Sequence, residues 1–172
     1  MNTTPLHDAH VARGARMMEF AGWQMPLQFE GILQEHRHTR KVVSLFDTCH
    51  MTQYRIEGRN ATERLSRAIA CRLGSLRVGR CRYGFLLNQS GGVIDDLICY
   101  RTEENQYMIV ANAGTRKQVS EVLRERLAQD TSYADITDET AKIDLQGPAS
   151  ARALDEIYAV PVEDLAYFQF IS

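Results

Sequence analysis

Polar and apolar residues alternate from Met51 to Glu57: Gln53, Arg55 and Glu57 fall on one side, Tyr54 and Ile56 on the other. A period of two predicts a half-buried strand, and Gly58 stops it. Asn60 then stands at a helix start, with Glu63 at the capping-box spacing. Ala61, Leu65, Ala68 and Ile69 form the apolar stripe of that helix. The clearest pattern comes next. Arg82 to Asn88 is apolar and aromatic, Gln89-Ser90-Gly91-Gly92 reads as a turn, and Val93 to Arg101 returns as the second arm of a hairpin. After a turn at Glu103 to Gln106, Tyr107 to Asn112 makes a third strand. Thr115 to Gln129 is an amphipathic helix with Val119, Val122, Leu123 and Leu127 on one face. Strands around Ala134–Thr137 and Ala141–Gln146 follow. Gly147-Pro148 then opens a helix over Ala149 to Tyr158, since proline suits the start of a helix.

Upstream the pattern is less regular. Asp8 to Phe20 reads as a short helix with Gly14 inside it. Gly22 and Pro26 interrupt regular structure between Phe20 and Leu27. Trp23, the sole tryptophan, reads as a packing anchor because of the area it buries. Gly31 to Val43 is a helix, with Leu45 to Asp47 leading out of it. The apolar run Leu165 to Ile171 reads as a strand or its approach, and a domain seldom ends on so hydrophobic a stretch. Strands joined by turns and interspersed with helices predict an α+β fold with mainly antiparallel sheets and flanking helices.

Composition adds exclusions. The 20 basic and 22 acidic residues leave a net charge of −2, with no electrostatic footprint for nucleic acid or membrane. No stretch has transmembrane length, and the first residues are not a signal peptide. The reading is a cytoplasmic protein. Cys49, Cys71, Cys81 and Cys99 form no Cys-x-x-Cys pair and read as free thiols. His7, His10, His36 and His38 lack companions at metal-ligand spacing, so no metal is expected.

The chemistry centres on Asp95 and Asp96. Neighbours on a strand point to opposite faces, so the two cannot share one proton. Asp96 falls with Ile94, Ile98 and Tyr100; Asp95 falls with Val93, Leu97 and Cys99. A carboxylate among such side chains is costly unless paired or hydrogen-bonded. One reading has both at a strand end, bonded to loop amides. The other has one aimed into a ligand cleft, with Tyr83 and Asn112 as companions. Such a set would suit a flat heteroaromatic ligand. On pattern alone Tyr83 reads more readily as a core or interface residue than as a site residue. There is no phosphate-binding glycine loop and no nucleophile elbow.

An ordered set of motifs then points further: Thr4-Pro5-Leu6, Gly14-Ala15, Phe20-Ala21-Gly22-Trp23-Gln24-Met25-Pro26-Leu27, Phe46-Asp47-Thr48-Cys49-His50-Met51, Tyr83, Asn88, Gly91-Gly92, Ile94-Asp95-Asp96-Leu97, Asn112-Ala113 and Leu145-Gln146-Gly147-Pro148. Together they resemble the N-terminal half of the T-protein family, the folate-dependent aminomethyltransferases of the glycine cleavage system. The resemblance covers essentially the whole chain. It implies a discontinuous first domain, residues 1–50 plus 137–172, incomplete here, and an inserted α+β domain over 51–136 carrying Tyr83, Asp96 and Asn112. It implies transfer of a one-carbon unit from the aminomethyl-lipoyl arm of H-protein to tetrahydrofolate, with release of ammonia.

By the same resemblance, Asp96 is the catalytic carboxylate, and Met51, Tyr83, Tyr100 and Asn112 line the pterin pocket. Two positions depart from the family pattern. Cys49 replaces the usual serine, which alters hydrogen bonding near His50. Gly84 replaces a hydroxyl residue, which is expected to weaken the strand and loosen Tyr83. Full-length members are longer, so the chain is expected to be inactive alone. It would need a C-terminal half or a partner chain, or would self-associate through exposed apolar surface. The alternatives are a non-catalytic folate-binding module or a fragment of a related folate-dependent demethylase.

Overall fold

The computed structural model describes residues 1–127, 131–159, 162 and 164–171. The chain divides into two compact units, one of residues 1–50 with 141–165 and one of 51–140 with 166–172. Residues 137–140 and the last seven therefore belong with the second unit rather than the first. Thr137 is held there by its hydroxyl, which accepts the backbone N–H of Gln53 at 3.0 Å.

In the first unit, β1 (Asn2–Thr3), β2 (Arg16–Phe20) and β3 (Trp23–Gln28) form a small sheet ordered β1-β3-β2. The helix expected from Asp8 to Phe20 is only α1, His7–Ala12. Gly14 sits at φ 78°, a left-handed conformation that ends a helix. Its N–H donates to the Val11 carbonyl at 2.9 Å, and that of Ala15 to His10 at 3.0 Å. Beyond it the chain is extended, and Phe20 to Leu27 is a hairpin rather than irregular. Pro26 is tolerated in β3 because β1 pairs only with Trp23 and Gln24, so that side of the strand has become an edge. Trp23 is buried. The helix α2 spans Ile32–Lys41, and β4 (Ser44–Asp47) pairs antiparallel with β10 (Ile143–Gln146) ahead of α5, Ser150–Tyr158.

The second unit is built on an antiparallel sheet of β5 (Thr52–Glu57), β6 (Arg80–Leu87), β7 (Val93–Glu103), β8 (Gln106–Ala111) and β9 (Ser132–Asp135), ordered β6-β7-β8-β5-β9. The alternation in sequence becomes two unlike faces. Tyr54, Ile56, Leu86, Leu97, Cys99, Tyr107 and Ile109 are buried on the first face. They pack against Ala61, Leu65 and Ala68 of α3 (Ala61–Ala68) and Val119 and Leu123 of α4 (Arg116–Arg126). Burying each such leucine contributes about 2 kcal/mol. At the start of α3, Glu63 pairs with Arg67 one turn on, at 2.7 Å. α4 ends at Arg126, and Gln129, expected as its last residue, lies outside the described residues.

The run Leu165–Ile171 is not a strand. Phe168 adopts φ 56°, and only Gln169 bridges to Arg80. No described helix is long and apolar enough to cross a membrane.

Candidate functional site

The hairpin of β6 and β7 sets the site. Its turn is closed by Asn88, whose side-chain oxygen accepts the N–H groups of Ser90 (3.0 Å) and Gly92 (2.8 Å). This fixes the register Phe85↔Asp96 and Tyr83↔Ile98. Across β8 the register continues as Leu97↔Ala111 and Ile98↔Val110. Asp96, Phe85 and Asn112 therefore form one row across the second face, and Tyr83, Ile98, Val110 and Gln53 form the next.

Asp95 and Asp96 do opposite things. Asp95 is buried beside Leu97 and Cys99. One of its oxygens accepts the Asn112 side-chain amide at 2.7 Å and the Asp96 N–H at 3.0 Å. The other accepts the Asn112 N–H at 3.0 Å and the Thr115 hydroxyl at 2.6 Å. Four donors replace the lost water, which is what lets a carboxylate stay buried. Asp95 thereby pins the end of β8 and the approach to α4.

Asp96 is half-buried on the second face. Its Oδ2 accepts the Tyr83 hydroxyl at 2.9 Å and its Oδ1 the Asn112 amide at 2.9 Å. Both neighbours of that amide are carboxylate oxygens, so its NH2, not its carbonyl, has to face them. The Asn112 side chain is thus a bridge between the two aspartates. The hydrogen bond to the Asp96 carboxylate holds the Tyr83 phenol above its ordinary pKa. The Tyr83 ring meets Phe85 edge-on, with centroids 5.2 Å apart, and both remain partly exposed. Gln53 is buried on this face, and its Nε2 has no partner among the described residues.

Tyr83, Asp96 and Asn112 therefore come together. Tyr100 lies on the same face, four residues along β7, with its ring against Phe170 at 5.5 Å. Met51 immediately precedes the pair Thr52↔Ala111, at the Asn112 end of the sheet. Two contributors were missed in the sequence, Thr115 and Phe85, and which of Asp95 and Asp96 is the fixed one was left open. The register of the hairpin was the available signal for Phe85. For Thr115 it was a hydroxyl three residues past Asn112.

Gly84 is a point of close packing beside Tyr83. A Cβ there would stand 2.8 Å from the Cys71 Cβ and 3.0 Å from the Ala70 carbonyl oxygen. Its absence lets segment 70–71 close on β6. Ala70 donates to the Phe85 carbonyl at 2.8 Å and Phe85 donates back at 3.3 Å.

A second polar cluster lies in the first unit. Burial pushes the Asp47 carboxyl up. Bonds from the Thr4 hydroxyl, the Cys49 N–H and His10 outweigh that and hold it below its ordinary value. Burial pushes the Cys49 thiol up, and its Sγ–H donates to the Lys142 carbonyl at 3.3 Å. Burial also holds His50 below its ordinary value. A protonated thiol beside a buried carboxylate is a structural lock, not a nucleophile.

A carboxylate fixed by two donors, with aromatic and aliphatic walls, can accept N–H groups from the edge of a flat heterocycle. It can also stabilise positive charge developing beside it. Residues 6–172 match the family model described as the GCVT N-terminal domain. An aminomethyltransferase of Saccharopolyspora erythraea is 42% identical over 166 residues, covering 96% of this chain and 45% of that protein. One of Corynebacterium jeikeium is 39% identical over 158 residues, covering 91% and 41%. The crystal structure of the glycine cleavage system aminomethyltransferase T from Bartonella henselae superposes with a TM-score of 0.92 at 38% identity, covering 98% of this chain and 46% of that one. The chain spans about half the length of these relatives.

Proposed function

We propose, because the chain belongs to the GCVT N-terminal domain family, that its Asp96 face is the pterin-binding part of a folate-dependent aminomethyltransferase. The single observation that carries this reading is the half-buried Asp96, held by Tyr83 and Asn112 while Asp95 beside it is fully satisfied. When bound, tetrahydrofolate supplies the nitrogens that accept a one-carbon unit. The residues fit it: a carboxylate acceptor for a pterin's N–H edge, with Tyr83, Phe85 and Ile98 as apolar walls.

Asp96 orients the ring through accepted N–H groups. Its charge stabilises cationic character at the reacting nitrogen. Tyr83 holds one carboxylate oxygen and Asn112 the other, so the charge stays aimed without reorganising. Asp95 acts through Asn112 as a positioning residue. Tyr100 and Met51 extend the lining along and across the same face. The donor we assign is the aminomethyl-lipoyl arm of H-protein, supported by the glycine cleavage relative. Residues beyond those of this chain are needed for turnover, in keeping with the length of the relatives. The four cysteines are free, which fits a reducing compartment and supports a cytoplasmic location.

The test is a titration of tetrahydrofolate into the reduced chain, followed by amide NMR. Saturable shifts centred on Tyr83, Asp96, Val110 and Asn112 are expected. Saturable shifts that leave those residues unmoved would contradict the assignment.

A further inference from the structure

We propose that a basin at the start of β6 binds a small organic anion carrying two or more phosphate or carboxylate groups. The basin, of about 640 Å³, shares no lining residue with the Asp96 cluster. Arg77, Arg80 and Arg82 all line it, together with Ser75 and Tyr167, and none of its lining residues is acidic.

Three guanidinium groups within six residues repel one another, and an anion seated among them relieves that repulsion. None of the three makes an ion pair among the described residues. Arg80 donates only to the neutral Gln169 side chain, at 3.3 Å. Arg82 donates to the Arg72 carbonyl and to the Ser75 hydroxyl, the latter at 3.2 Å. These bonds to neutral groups hold the side chains in place while leaving their charge uncompensated. The loop beneath is fixed by Arg101, whose Nη1 donates to the Leu76 carbonyl at 2.7 Å and which pairs in register with Arg80. Arg101 thus adds a fourth cation on the strand paired with Arg80.

The lining also carries two aromatic rings, Tyr167 and Phe168. Tyr167 is 85% exposed and its ring meets that of Phe168 at 4.4 Å. Phe168 is held at φ 56°, an unfavourable conformation for a bulky residue. It is kept by the bond from the Cys81 N–H to its carbonyl, at 2.9 Å. Forked, planar cations and aromatic rings lining one basin suit an oxyanion on an apolar or aromatic body. Phosphate and carboxylate share that chemistry.

The test is calorimetric titration of sodium pyrophosphate and, separately, citrate into the full chain at low ionic strength. It is repeated with an Arg77→Gln/Arg80→Gln double variant and with Arg59→Gln, an exposed arginine elsewhere on the unit. At least one anion is expected to bind saturably. Affinity should fall about tenfold or more in the double variant, as expected for loss of two charge-assisted contacts. It should stay unchanged in Arg59→Gln, and weaken as salt rises. Tighter pyrophosphate marks a phosphate ligand, and tighter citrate a carboxylate. Should the double variant unfold, Arg77→Gln alone, which removes a side chain with no internal bond, carries the test. Saturation by neither anion overturns the proposal. So does binding that survives loss of these arginines, or that Arg59→Gln weakens equally.

Discussion

The two faces of the five-stranded sheet differ in what they ask of the same residue type. On the first face Asp95 sits among Leu97 and Cys99 with four donors around it. On the second Asp96, one pleat further, has two donors and stays partly open. A buried carboxylate is tolerated only when fully satisfied, so Asp95 is committed to structure. Asp96 keeps accepting capacity for something else. One amide, that of Asn112, couples the two.

The sharpest contrast is in stability. Leu97→Ala on the first face should cost about 3 kcal/mol or more, because a fully buried leucine leaves a cavity. Ile98→Ala on the second face should cost about 1 kcal/mol, since part of the side chain is already in water. Urea unfolding of the two variants checks this, and equal losses would erase the distinction between the faces. Asp95→Ala should lower stability by about 2–3 kcal/mol, because the Asn112 and Thr115 donors are left unpaired. Gly84→Ala should cost about 1–2 kcal/mol through the close approach of Cys71. A neutral result there would mean segment 70–71 is not clamped to β6.

A smaller effect concerns pH. Burial pushes Asp135 up, but bonds from Thr137 and Arg116 outweigh it and hold its carboxyl below the ordinary value. A depressed folded-state pKa means the folded chain binds protons less readily than the unfolded one. This contribution is therefore full above about pH 4, near the unfolded carboxylate value, and is lost as pH falls through the lower folded value. Thermal melts from pH 5 to pH 2 should show a shallower decline in Asp135→Asn than in the parent chain.

Much of this was legible in sequence, for physical reasons that also mark the limit. Tyr54 and Ile56 declared β5 because a period of two has one meaning over six residues. The β6–β7 hairpin followed from a turn flanked by apolar arms. That Asp95 and Asp96 face apart followed from the pleat. Which of them is satisfied did not, because Asn112 and Thr115 arrive 16 to 20 residues later. The boundary between α1 and β2 was hidden in a polar segment where Gly14 is compatible with several backbones and only its positive φ decides. Gly84 read as a weakness because its benefit lies in Ala70 and Cys71, which sequence does not place beside it. Phe168 defeats the strand expected from Leu165 to Ile171 by its conformation, not its hydropathy.

The central claim is that Asp96 is free to hold a pterin because Asp95 carries the structural load. Calorimetric titration of tetrahydrofolate into the reduced parent chain and Asp96→Asn tests it most directly, with urea unfolding run alongside. The account predicts affinity about tenfold weaker or worse in the variant, since a charge-assisted hydrogen bond contributes about 1.5–3 kcal/mol, with stability changed by less than about 1 kcal/mol. Equal affinity in both folded proteins would contradict it.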